Sequence, residues 1–167
     1  MGRVLKKCSE IIDLIFMPVA MGLLVMLAVS CIIQVVSRYV FNASLGWTEE
    51  VARYCFIWVN MLGASILVKR KGHATIDFLV ANLKGVKKQI HRTLICGLTL
   101  FVAGVLIYQS FLLMPVVMHQ SSPATGISML YVYLAVPVGA GGIFVHTLSE
   151  LYDTIFPGKV LDGQAGV

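Results

Sequence analysis

Charge is the scarce commodity in this sequence. Of its 167 residues only 13% are charged, while 58% are hydrophobic. The mean hydropathy is +0.87. No charged side chain occurs between Asp13 and Arg38. A helix rises roughly 1.5 Å per residue, so about 20 apolar residues cross a hydrocarbon core roughly 30 Å thick. Such stretches recur three more times. The scarcity therefore excludes a soluble domain. It predicts an all-α integral membrane protein, one membrane domain over residues 1–167, without length for a separate catalytic unit.

Other absences narrow the function. The four cysteines, Cys8, Cys31, Cys55 and Cys96, form no C-x-x-C pair and read as free thiols in apolar surroundings. His73, His91, His119 and His146 lack metal-ligand spacing, and no Ser–His–Asp or Cys–His arrangement is evident. The chain is accordingly expected to have no catalytic residues, no metal and no cofactor. The formal charge of +5 does not indicate a nucleic-acid partner, because the basic residues cluster between apolar runs. No carboxylate falls at mid-depth in any run, which excludes an antiporter of the small multidrug type. Only Gln34, Asn60 and Gln109 are strongly polar well inside the runs, and they are expected to bond between helices. No repeat or inverted half is visible. Pro137 with Gly139-Ala140-Gly141-Gly142 reads as a kink in a closely packed helix, not as an ion site.

What is present gives the topology. Four spans are expected over residues 14–38, 47–68, 93–118 and 127–149. The loop at 41–46 and the turn at 121–126 close one end. Residues 73–90 carry Ile76, Leu79, Val80, Leu83, Val86 and Ile90 at helical spacing, with Asp77, Lys84 and Lys88 opposite. That pattern predicts an amphipathic helix lying in the interface, capped by Thr75, with Lys84, Lys87 and Lys88 against membrane phospholipid. Seven basic residues (Lys69, Arg70, Lys71, Lys84, Lys87, Lys88 and Arg92) lie between the second and third spans. Arg3, Lys6 and Lys7 precede the first span, and Lys159 follows the last. Both termini are therefore expected in the cytoplasm. The first run is longer than a signal peptide's apolar region, about 7–15 residues, and reads as an uncleaved span.

At the opposite end the sequence is most specific. Thr48 is expected to cap the second helix, with Glu49 and Glu50 in its first turn. Glu49 and Arg53 are four apart and share a face. Trp47 suits the interfacial aromatic belt. Two readings stand together: Arg38 and Arg53 neutralise Glu49 and Glu50 and lock the hairpin of spans one and two, or the cluster docks another protein. Arg38, Trp47, Glu49, Glu50, Arg53 and Trp58 are the candidate partner-binding or orienting residues.

Arg38-Tyr39-Val40-Phe41-Asn42, Trp47-Thr48-Glu49-Glu50, Trp58, Gly63-Ala64 and Lys71-Gly72-His73-Ala74-Thr75-Ile76-Asp77 carry a further meaning. Over roughly residues 20–150 the chain resembles the DctQ-type small membrane subunit of tripartite ATP-independent periplasmic (TRAP) transporters. The resemblance implies a multi-pass protein of a bacterial inner membrane and a complex importing an organic acid, such as sialic acid or a C4-dicarboxylate. It implies a large membrane subunit that carries substrate and sodium and moves as an elevator, and a periplasmic substrate-binding protein. The small subunit would stabilise the large one and enlarge its fixed scaffold. The alternative from the residues alone is a self-sufficient, homo-oligomeric small transporter or channel.

Overall fold

The computed structural model describes residues 2–43, 45–70 and 86–155. They form five helices: α1 (Gly2–Tyr39), α2 (Gly46–Lys69), α3 (Val86–Val117), α4 (Met129–Tyr133) and α5 (Ala135–Ile155). Among the described residues, four segments are long and apolar enough to cross a membrane, the fourth being α4 and α5 together. The connector expected over 73–90 lies outside the described residues as far as residue 85, and Thr75, Asp77 and Lys84 with it. Val86 to Ile90 instead open α3, so Lys87 and Lys88 fall in the first turn of a spanning helix.

α1 begins well before the apolar run. At 38 residues it extends for roughly 57 Å, nearly twice the hydrocarbon thickness. The reason lies in its seam. Ser9, Phe16, Leu23, Ser30 and Ser37 recur every seven residues, with Asp13, Ala20, Leu27 and Gln34 four further on; these positions are buried or half-buried. The spacing keeps one narrow stripe turned toward the neighbouring helices, as in a coiled coil. Helix α3 repeats the device with Cys96, Ala103, Ser110 and Val117. Outside these stripes, α1 exposes Leu14, Val25, Val29 and Ile32.

α5 sits at the centre and packs against α1, α2 and α3. In the most apolar stretch of the fourth span 33% of residues are buried, against 6% in α1. Small residues make this possible. Ala135 and Ala140 are fully covered, and Thr147 nearly so. At Gly139 a Cβ would lie 2.7 Å from Met61 Cβ and 2.8 Å from the Met61 carbonyl oxygen, so the backbones of α2 and α5 touch there. Without lipid-driven hydrophobic attraction, close contact of this kind is what holds membrane helices together.

The break between α4 and α5 follows from Pro137. Proline has no N–H to give to the carbonyl of Tyr133, and its ring crowds that carbonyl. Leu134 marks the interruption: its own N–H still reaches Leu130 O at 2.9 Å, and Val138 N reaches Leu134 O at 3.2 Å. The expected close packing is thus present, and the helix is interrupted at Leu134.

Candidate functional site

Two polar clusters tie the spans together, one at each end of the bundle. The first is at the end that carries the loops around residues 41 and 121. Glu50 lies on the buried side of α2 and is 8% exposed. Its carboxylate accepts from the Ser122 hydroxyl and the Thr125 hydroxyl at 3.0 Å. It also accepts from the backbone N–H of Ala124 at 3.1 Å and of Thr125 at 3.0 Å. Four donors from one loop converge on a single carboxylate. The loop is closed beneath them by Ser122 N to Ile127 O at 2.9 Å and Met129 N to Gln120 O at 2.9 Å. Gly126 takes φ +67°, a conformation glycine adopts without steric cost. Ser128 then caps α4, accepting from Leu130 N. Close by, Trp58 Nε1 donates to Tyr131 O at 3.1 Å.

This geometry corrects the expected pairing. Glu50 is not neutralised by an arginine: hydroxyl and amide donors of the loop between the third and fourth spans satisfy it. The cluster therefore fastens span two to spans three and four, not span one to span two. Arg53 does meet Glu49, at 3.1 Å, but the pair lies within one helix with side chains 63% and 56% exposed. Arg38 is exposed and makes no ion pair among the described residues. Thr48 is not the cap. Helix α2 starts at Gly46 after an extended Leu45, and the fully buried Thr48 returns its hydroxyl to Leu45 O at 2.7 Å.

The six candidate residues thus divide. Glu50 turns inward and the half-buried Trp58 bonds to Tyr131, so both serve contacts within the chain. Arg38, Trp47, Glu49 and Arg53 remain exposed. The side chains of Lys84, Lys87 and Lys88 lie outside the described ones.

The second cluster, at the opposite end, was not foreseen. Ser9 Oγ and His146 Nδ1 are 2.7 Å apart. Lys69 donates to Ser9 O at 3.0 Å and lies 3.5 Å from Asp13, which Arg70 approaches at 4.0 Å. Arg92 makes two bonds to Glu150 Oε1, at 2.9 and 3.2 Å. Between these groups lies a cavity of about 200 Å3 lined by Ser9, Lys69, Arg92, His146, Ser149, Glu150 and Thr154. A signal existed: Asp13 is the one charged residue in the seven-residue register of the α1 seam. The partners lie 56 residues or more away along the chain, so their identity could not be read.

Reversing Arg92 to Glu should loosen α3 from α5, and the double reversal Arg92→Glu with Glu150→Arg should restore it. The expected single-variant loss is about 1 kcal/mol, because Arg92 is 40% exposed and solvent screens the pair. Thermal unfolding in detergent would check both variants. An unrescued double variant would show that the pair does not couple the helices.

Among the described residues, no three or more His, Cys, Asp and Glu side chains gather as a metal site. Charges stand at the ends of the spans. The class is thus a four-span membrane protein whose polar groups brace its own helices. Over residues 26–156 the chain matches the family of tripartite ATP-independent periplasmic transporters, DctQ component. It belongs to that family: a transporter component of the bacterial inner membrane, and not an enzyme. A Haemophilus influenzae protein provisionally named a TRAP transporter small permease protein is 31% identical over 110 residues, 65% of this chain and 66% of its own length. A second from that organism, of the same description, is 25% identical over 135 residues, 81% of this chain and 84% of its own. The isethionate TRAP transporter permease protein DctMQ of Oleidesulfovibrio alaskensis is 30% identical over 111 residues, 65% of this chain but only 18% of that longer protein.

Proposed function

We propose that the chain is the non-catalytic small permease subunit of a sodium-coupled TRAP importer of a carboxylate-bearing solute. In this reading it stabilises a large elevator-type subunit and widens its stationary scaffold. Both termini face the cytoplasm, and the lysines at 84, 87 and 88 meet anionic phospholipid there. A periplasmic binding protein delivers the solute to the assembled complex from the other side. Relatives are named for sialic acid and for C4-dicarboxylates, and one for isethionate, a sulfonate. Their common chemistry is a small acid anion.

One observation carries this reading. The described spans interlock through backbone-close contacts and end-to-end polar ties, with charge kept away from mid-depth. A moving carrier domain needs a polar or ionic site near the midplane and freedom to shift. A stationary brace needs a stiff frame with broad apolar faces. An elevator pushes one body through lipid against another that must not follow, and added lipid-anchored width resists that drag.

Co-reconstitution tests it. The large permease, its binding protein and this chain together should support solute uptake driven by a sodium gradient, and omission of this chain should lower uptake at least tenfold. Uptake by this chain alone would instead establish the self-sufficient transporter. Full uptake without it would refute a subunit role.

A further inference from the structure

We propose that the outward stripe of α2, formed by Glu49, Arg53, Phe56, Asn60, Gly63, Ala64 and Leu67, is the seat of a transmembrane helix of the large permease. The proposal rests on the subunit reading above and specifies where the partner docks.

The stripe is set by helical spacing. At 100° per residue its members fall within one narrow sector. The buried residues Cys55, Leu62 and Ser65 point the other way, toward α1 and α5. Asn60 is the decisive member. It lies 14 residues from the start of α2 and nine from its end, hence roughly 21 Å and 14 Å from the two ends. At that depth it is exposed. Its amide nitrogen donates to the Phe56 carbonyl of its own helix at 2.8 Å. Its carbonyl oxygen has no partner among the described residues. Acyl chains supply no donor, and a polar group left unpaired in hydrocarbon is costly.

The stripe has the other properties of a helix seat. Nothing lies within 4 Å of a Cβ placed on Gly63 and Ala64 is exposed, so the two present a smooth surface that no other described residue covers. Small residues of this kind admit close approach of a second helix. Phe56 and Leu67, each 56% exposed, flank that surface with apolar area. The Glu49–Arg53 pair stands at its head. The outward face of α1 is different in kind: Met21, Leu24, Val25, Val29 and Ile32 are apolar throughout the same depth, which suits lipid.

A second copy of this chain is the rival occupant. Two copies related by an axis along the membrane normal would bring Glu49 near Glu49 and Arg53 near Arg53. The longer relative offers a different neighbour. There the matching segment is 18% of one polypeptide, so the remainder is held beside it at high effective concentration.

Photocrosslinking in native membranes tests the seat, with chain and large permease co-expressed. p-Benzoylphenylalanine at Phe56 or Leu67 should give a covalent adduct with the large permease, at least tenfold above the yield from Val25 or Ile32 on α1. Asn60→Leu should lower the co-purified large permease at least fivefold while the variant chain keeps its own thermal midpoint. Adducts from α1 and none from α2 would overturn the seat, as would chain-to-chain adducts from Phe56. An unchanged complex in Asn60→Leu would do the same and return the stripe to lipid. If the unsubstituted chain does not co-purify with the large permease, the subunit reading fails as well, and that control separates the two failures.

Discussion

In the Glu50→Ala variant, the loop over residues 120–128 is expected to come free while the four spans persist. The substitution removes the shared acceptor of four donors at once: the hydroxyls of Ser122 and Thr125 and the amides of Ala124 and Thr125. Hydrogen bonds to a charged acceptor are the stronger kind, and orphaned buried donors carry the full cost of lost hydration. A cysteine placed at Ala124 in a background whose four native cysteines are serines should label at least about tenfold faster once Glu50 is removed, the factor expected from losing a single charge-assisted bond. Glu50→Gln keeps one acceptor oxygen and should fall between the two. Labelling at the original rate in Glu50→Ala would show that the backbone ties of the loop suffice without the carboxylate. Arg53→Ala should leave the rate unchanged, since that side chain faces away. The contrast between neighbouring acidic residues is the informative part: Glu49 is on the outer face and Glu50 on the inner.

The other large effect is expected at Gly139. A methyl group there would meet the Met61 backbone, at 2.8 Å from its carbonyl oxygen and 2.9 Å from its carbonyl carbon. Backbone cannot rotate aside as a side chain can, so α2 and α5 must separate. Overpacking costs about 1–3 kcal/mol in well-packed interiors, and Gly139→Ala should reach the upper part of that range. At Gly142 the same insertion runs into Phe16 of α1, 2.6 Å from Cε2, and into Ser65 of α2. Gly141 is the internal control. Nothing lies within 4 Å of its Cβ position, and alanine is favoured over glycine in a helix by about 1 kcal/mol. Unfolding by denaturing detergent should therefore rank Gly141→Ala at or above the native chain, with Gly142→Ala and Gly139→Ala well below. If all three behaved alike, the glycines would be serving only helix flexibility.

Both results depend on distinctions that periodicity does not make. The sequence pattern placed Glu49, Glu50 and Arg53 in one group because they are close along the chain. Their directions differ by 100° per residue, and the sign of that rotation relative to the bundle is fixed only by packing. The same applies to Gly139-Ala140-Gly141-Gly142: small residues in a row signal close approach, but only two of the three glycines are where it happens. The connector illustrates a different limit. Its expected range ran on through Val86 and Ile90, which open α3, since helical spacing alone carries no mark of where an element begins.

The number of spans, their approximate positions, the lack of a mid-depth charge and the family are properties of local hydropathy and local motifs, and the amino-acid order determined them unaided. The sorting of Glu50 inward and Glu49 outward, the converging donors 72 to 75 residues away, and the Ser9–Asp13–Lys69–His146 cluster were decided by tertiary structure alone. The physical reason is range. Burial in lipid is summed over about twenty consecutive residues, whereas a carboxylate's partners are whichever donors the packed helices happen to bring within 3 Å.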